Sequence, residues 1–455
     1  MADYPYSSDR RRRGVILSFQ GWQRLWAAEQ YHAQQNNNGY SYTLEQLSFI
    51  TGLSMNTLTK VRRRQKPVDV STVETYFRAF NLVPNSEDYK QPEATNAGST
   101  SLFTQEKPFT GPLPFESPFY VYRPEIEQSC FQEMMNPGML LRIKAPPRYG
   151  KTSLITVLME YGKSQGLQTA IANLKLIDRA FLQTTDQFLR WFCAVVARSI
   201  GLPNQLEERW DDVFGGSYSC TDYFESYLLA AGDRPLLLII ESADELFSYT
   251  DLAIDFFGML RAWYEQGRYG AGHETWQRLR LVITHSMEVG LAFTPHQSPF
   301  NVGLSIMLPP FTVMQVQDLA SRYGLEPSAT YAEALKHLLG GHPYLTQMSV
   351  FHLSQSQQSL ETLASETLAL ENFVTHATAY DSIFSVHLRR QGERLEADPE
   401  LRSAIAQLLQ ESQGAKLPPR LAFRLHGLGW TRFQDQRSLI SCELYRQYFA
   451  RVLEE

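Results

Sequence analysis

The chain has 455 residues, 43% of them hydrophobic and 20% charged, the balance of an ordinary globular protein. Its apolar runs all fall short of the ~20 residues that span a bilayer as a helix, which excludes a helical membrane protein, and the length accommodates two or three domains. The net charge of −6 is unevenly spread: residues 1–82 hold 11 Lys/Arg against 6 Asp/Glu, a net of +5, which leaves −11 for the rest. A basic front on an acidic body places any nucleic-acid contact at the front.

The run Arg10 to Arg13 is followed by a short mixed segment rather than a signal-peptide core, so the expected location is the cytoplasm, away from membranes. YTLEQLSFITGLSMNTLTKVRRRQK fits a helix-turn-helix, with Leu44, Leu47 and Ile50 as the apolar face of the first helix. Gly52 stands where the tight turn needs positive φ, and Leu53, Leu58 and Val61 face the shared core. Ser54 is a good N-cap for the second helix. Met55, Asn56, Thr57, Thr59 and Lys60 then project outward, and Arg62, Arg63, Arg64 and Lys66 follow. One reading is a recognition helix in the major groove of double-stranded DNA, with Ser54, Asn56, Thr57, Lys60, Arg62, Arg63 and Arg64 at the interface. The other is a helical adaptor whose basic run is solvated and suits the helix dipole.

Residues 83–115 are dominated by Pro, Ser, Thr, Gly and Asn and read as a linker. Beyond it, short apolar runs alternate with helical stretches. GMLLRIKA (138–145), LQTAIANL (167–174), PLLLII (235–240) and LRLVITHS (279–286) are predicted strands, and residues 186–200 a helix. This alternation argues for a parallel sheet covered on both faces. From about 312 the pattern is almost all helical, ending in a helix, a two-stranded wing and a final helix. Cys130, Cys193, Cys220 and Cys442 lie far apart and suggest buried thiols rather than zinc or disulfides.

APPRYGKTSL (145–154) ends like a phosphate-binding loop. Such a loop points successive backbone N–H groups into a concavity at a helix N-terminus. Gly150, Lys151 and Thr152 match three of its four critical positions, and Ala145 is the small substitute at the fourth. Lys151 suits the β- and γ-phosphates and Thr152 a Mg²⁺ ion. A strand ending in an acid and then a glutamate should follow, to hold the metal and polarise water. In PLLLIIESADELF, Glu241 takes the aspartate's place and Ser242 the glutamate's; Asp244 or Glu245 compensates only if the strand ends later. Glu241 and Asp244 are thus the catalytic candidates, and Thr152 and Glu241 the metal ligands.

SPFYVYRPEIE (117–127), the phosphate loop, PLLLIIESADELF, LRLVITHS, QSPFNVGL, LPPFT with QVQDLASRYGL, GGHPYL (340–345) and CELYRQYF (442–449) together resemble the bacterial AAA-like domain proteins, relatives of the signal-transducing STAND ATPases. The resemblance covers roughly 115–455. It implies that Arg123 lies near the adenine, that Ser153 extends the phosphate loop, that Thr284 to Ser286 end the strand with the γ-phosphate sensor, and that Pro343 packs on adenine and ribose. It also accounts for Ala145, because this family often opens its loop with Ala-Pro. Members usually carry Asp-Glu where this chain has Glu241-Ser242. The expected fold is α/β: a helix-turn-helix domain (1–82), a linker (83–115), a P-loop parallel-sheet domain (116–311), a helical lid (312–385) and a winged helix (386–455). The expected function is an ATP- or ADP-binding regulatory switch, with Mg²⁺, in signalling or defence, with weak or absent hydrolysis. A protein partner or self-assembly would accompany it. A DNA-binding regulator with a structural nucleotide and an active ATPase assembling on DNA are the alternatives.

Overall fold

The computed structural model describes residues 14–37, 42, 44–64, 67–91, 111–115, 117–269, 274–286, 298–325, 329–355, 378–379, 382–411 and 413–454. The chain divides into two compact units, Met1–Thr104 and Gln105–Glu455. Among the described residues, no helix is long and apolar enough to cross a membrane.

In the first unit, strand β1 (Ile16–Leu17) leads into helix α1 (Phe19–Asn36), capped by Ser18, whose hydroxyl accepts the Gly21 N–H at 3.0 Å. Helix α2 (Leu44–Thr51), a turn through Gly52 at φ +70°, and helix α3 (Met55–Arg63) follow. Ser54 caps α3 by accepting the Thr57 N–H at 3.1 Å. Helix α4 (Val70–Ala79) closes the bundle over Leu25, Leu47, Leu58, Val61, Tyr76 and Phe77. Strand β2 (Tyr89–Lys90) pairs antiparallel with β1, inside the stretch that reads as linker. Buried Asp88 holds it there. Its carboxylate takes Arg24 and the Asn85 N–H, and its backbone carbonyl accepts the Ser18 N–H at 2.8 Å.

Two basic residues expected on a DNA surface point elsewhere. Arg62 Nη1 donates to both oxygens of buried Glu29, at 2.9 and 3.2 Å, and to Tyr76 Oη at 2.9 Å. Arg64, at φ +55°, donates Nε to the Leu17 carbonyl at 3.1 Å. The buried carboxylate of α1 draws Arg62 inward, because an unpaired charge there is costly. Met55, Asn56 and Lys60 remain exposed on α3, with Phe49 of α2 nearby in sequence at 92% exposure. The Arg63 side chain, Lys66, Arg10 to Arg13 and most of the linker lie outside the described residues.

In the second unit, helix α5 (Pro124–Met134) precedes strand β3 (Leu140–Lys144), which runs through the phosphate loop into helix α6 (Lys151–Ser164). Strand β4 (Gln168–Asn173), helices α7 (Thr185–Ser199), α8 (Leu206–Arg209) and α9 (Gly216–Tyr223), strand β5 (Leu236–Glu241), helix α10 (Thr250–Tyr269) and strands β6 (Leu279–His285) and β7 (Leu304–Met307) complete the layer. The sheet order is β4-β5-β6-β3-β7, and every pairing is parallel. All residues of β5 and β6 are buried, as continuous apolar runs covered on both faces must be. Alternation sorts the two faces. Leu236, Leu238 and Ile240 pack with Phe188, Phe192, Phe256 and Trp263 of α7 and α10. Leu237 meets α6 at Gly162, on the side where Phe131 of α5 stacks on Tyr161 at 4.1 Å.

Helix α11 (Val313–Arg322) opens with a capping box of Thr312 and Gln315. Helices α12 (Ala329–Leu339) and α13 (Pro343–Gln355) pack with it. The last segment comprises helices α14 (Ser385–Glu396), α15 (Pro399–Gln410) and α16 (Pro419–Gly427), an antiparallel hairpin of β8 (Thr431–Gln434) and β9 (Arg437–Ile440), and helix α17 (Glu443–Glu454).

Replacing Arg62 by alanine strands the Glu29 carboxylate in the first unit's core, so Arg62→Ala is expected to destabilise that unit by about 3–5 kcal/mol. Lys60→Ala, on the exposed face, should stay within about 0.5 kcal/mol of the parent. Hydrogen exchange across α1 to α4 measures both.

Candidate nucleotide cleft

In a parallel sheet the loops at the strands' carboxyl ends meet at one edge. Here that edge opens into a cavity of about 870 Å³, within the range of small-molecule sites. The loop after β3 forms its floor. Buried Ala145 starts the loop, and its N–H reaches the His285 carbonyl of neighbouring β6. Arg148 at φ +65° and Gly150 at φ +92° turn it into α6, whose first residues Lys151, Thr152 and Ser153 line the cavity. Lys151 Nζ donates back to the carbonyls of Ala145 and Pro146, at 2.7 and 3.0 Å. Burial pushes this ammonium down to about 8, against the opposing pull of Asp244 and Glu241.

Thr152 Oγ1 donates to Glu241 Oε1 at 2.5 Å across the gap between α6 and the end of β5. Ser153 turns away from the phosphate path: its hydroxyl accepts the Leu113 N–H at 3.0 Å. Strand β5 does end at Glu241, yet Asp244 still reaches the site. Ser242, at φ +62°, reverses the chain into the 3₁₀ turn Ala243–Leu246. That turn folds Asp244 back over the strand ends, where its Oδ1 accepts the Ser286 N–H at 2.8 Å. Thr284 Oγ1 accepts the Ser242 N–H at 3.2 Å. Glu241, Asp244, Thr284 and Ser286 thus line one wall.

Arg123, the residue before α5, is buried and close to the loop. Its Nη2 donates to the Tyr149 carbonyl at 3.1 Å, its guanidinium lies 4.9 Å from the Phe311 ring centre, and its Nε finds no partner. Glu127, one turn on, accepts the Tyr120 hydroxyl at 2.8 Å and the Arg123 N–H at 3.1 Å. Burial pushes its carboxyl up to about 7. Pro343 begins α13 and forms the opposite wall with Tyr344 and Gln347, while Arg390, Arg394 and Arg424 line the cavity from α14 and α16. Burial and Arg148 hold the His387 imidazole down at about 3, so it is neutral.

The donor set fits a nucleotide with Mg²⁺. Thr152 and Glu241 are hard oxygen donors, and Mg²⁺ takes one or two carboxylates and completes its octahedron with water and phosphate. Among the described residues no group of three His, Cys, Asp or Glu could hold a metal, so the site does not suit a cation held by protein alone. The buried Arg123 Nε is a donor awaiting an acceptor. Sequence reasoning missed Arg148, Tyr149, His342, Tyr344, His387, Arg390, Arg394 and Arg424. GHPY offered a signal for His342 and Tyr344, whereas Arg390 and Arg394 read as an ordinary exposed helix face.

Residues 109–451 match the model of the AAA-like domain family. An uncharacterised WD repeat-containing protein of Synechocystis is 25% identical over 293 residues, 58% of this chain and 24% of the relative, so the chain spans about a quarter of that protein's length. The Walker-type ATPase paby2304 of Pyrococcus abyssi superposes with a TM-score of 0.48 at 13% identity, over 73% of this chain and 96% of that one. The Orc1 protein of Aeropyrum pernix, solved in complex with DNA, superposes with a TM-score of 0.32 at 12% identity, over 75% of this chain and 94% of that one.

A carboxyl held at about 7 when folded but near ~4.3 when unfolded binds a proton only in the folded state between those values, so stability falls as pH rises through that window. Glu127→Gln keeps an acceptor for Tyr120 and Arg123 and removes the titration. Melting curves at pH 5 and pH 8 should therefore show the variant gaining on the parent as pH rises, by of order 3 kcal/mol.

Proposed function

The chain belongs to the AAA-like domain family, and from that premise we propose that it is an ATP- or ADP-binding regulatory switch of the STAND kind with little hydrolysis. One observation carries this reading: a buried lysine, a Thr–Glu pair and five arginines converge on one cavity whose walls come from the sheet on one side and from α13, α14 and α16 on the other. A bound nucleotide supplies phosphate charge to meet Lys151, Arg390 and Arg394, while Arg424 already pairs with Asp398. Lys151 exchanges its two loop carbonyls for phosphate oxygens. Thr152 and Glu241 hold the Mg²⁺ side, Pro343 and Tyr344 cover the base and ribose, and Asp244 and Ser286 stand at the far end, where attacking water would be oriented. A cleft walled by both the sheet and the C-terminal segment suits a two-state element biased by ligand. The segment from α14 to α17 serves as a winged-helix lid.

Weak hydrolysis follows from the acidic wall. Ser242 lacks a carboxylate, and Asp244 Oδ1 is already engaged by the Ser286 N–H. The helix-turn-helix of α2 and α3 is the input or output arm. With Arg62 committed to Glu29 and Arg64 to Leu17, its open face of Phe49, Met55, Asn56 and Lys60 favours a protein partner. Double-stranded DNA remains the second reading, supported by the basic charge of residues 1–82. In that case an isolated first unit binds duplex with salt-dependent affinity, and Asn56→Ala weakens binding.

Calorimetric titration with ADP and ATP tests the main reading. Lys151→Ala is expected to remove binding, and an unchanged affinity would overturn the site. Since the free ammonium titrates near 8, affinity should fall as pH rises above 8, by up to about tenfold per unit. Phosphate release should be slow in the parent and faster in Ser242→Glu; ordinary ATPase turnover in the parent would refute the hydrolysis-poor switch.

A further inference from the structure

The phosphate loop is also engaged by elements far along the chain. The Arg148 guanidinium lies 4.2 Å from the Tyr344 ring centre on α13, and its Nη1 stands 3.2 Å from His387 Nδ1 on α14. His387 Nε2 is 2.7 Å from Tyr445 Oη on α17. An arginine can only donate, so His387 Nδ1 is the acceptor and the neutral ring carries its proton on Nε2, toward Tyr445. Buried His342 packs edge-on against Tyr149 of the loop at 4.7 Å and against His387 at 5.5 Å. The turn after α16 adds a backbone contact, where a Cβ on Gly429 would stand 3.0 Å from Pro146 Cβ.

Arg148 holds a left-handed conformation at φ +65°. For a residue other than glycine that costs about 1–2 kcal/mol and persists only where the surroundings over-determine it. Here the surroundings are the Tyr344 face and the His387–Tyr445 relay, contributed from 196 to 297 residues further along the chain. Those contacts are what the structure sets against the cost of the left-handed backbone at 148.

We propose that Arg148 is a positioning residue through which α13, α14 and α17 hold the phosphate loop in its nucleotide-binding shape. Nucleotide affinity and the seating of the C-terminal segment are therefore one linked equilibrium, and by reciprocity nucleotide tightens the seating. The inference rests on the nucleotide reading above and adds the residue by which the lid acts on it.

A double-mutant cycle tests it, with binding of a fluorescent ADP analogue and hydrogen exchange of residues 443–454 with and without ADP as readouts. Arg148→Ala and His387→Ala should each weaken binding by about tenfold, and the double variant no further, because both cut one connection. Each should also abolish the ADP-induced protection of α17. Tyr445→Phe removes only a hydroxyl, folds where a larger change fails to, and should show a smaller loss of the same sign. Unchanged affinity in Arg148→Ala with α17 still protected by ADP, or losses that multiply in the double variant, would overturn the proposal. Lys151→Ala separates the two readings: if it abolishes binding while the Arg148 and Tyr445 variants bind normally, only the positioning role fails. If Lys151→Ala binds normally, the nucleotide site fails and this proposal with it.

Discussion

Parallel strands buried on both faces, as β5 and β6 are, allow polar chemistry at one place only. Within β5 and β6 every position is apolar or closed off, so a side chain that is to meet a ligand must stand at or beyond the strand's last residue. Glu241 ends β5, Thr284 and His285 end β6, and Lys151 follows the loop that ends β3. The order β4-β5-β6-β3-β7 sets these three strand ends side by side. That adjacency brings Thr152 to Glu241, and Ser286 to Asp244, across about 90 and 40 residues of sequence. The cleft is a consequence of the topology before it is a consequence of any one residue.

Much of this was legible in the sequence, and the reasons are physical. Four of the five sheet strands show as short apolar runs, and the run of β5 is continuous because both its faces are buried. β7 escaped because LSIM is four residues long, with Ser305 and Met307 exposed. The phosphate loop announced itself by chemistry that few other structures need. Asp244 was harder: strand counting placed it past the useful end, and only the left-handed turn at Ser242 returns it. Arg62 shows a deeper limit. Its helical position faces outward by spacing alone, but Glu29, 33 residues earlier and buried, reverses that preference. Arg148 and His387, 239 residues apart, leave no local trace of each other. Periodicity reports what each segment buries. It does not report which charges find each other once segments pack.

The cleft also concentrates charge that burial disfavours. Lys151 is held down, Glu127 up and His387 down, in each case chiefly by burial. Sites of this kind trade local stability for readiness, since a charge already stripped of water meets its ligand without first shedding a hydration shell. Two cations of the cleft illustrate the arrangement. Arg123 keeps a buried Nε without a partner, and Lys151 occupies itself with the carbonyls of its own loop.

The contact between Gly429 and Pro146 has a consequence for how such a cleft can move. At φ +79° and with little room for a methyl group, Gly429 lets its backbone lie close to the Pro146 ring. Sliding surfaces need side chains that can shift by fractions of an ångström, and bare backbone against a proline ring has none to give. The C-terminal segment is therefore fitted to the loop at Gly429, where a side chain would press on the Pro146 ring.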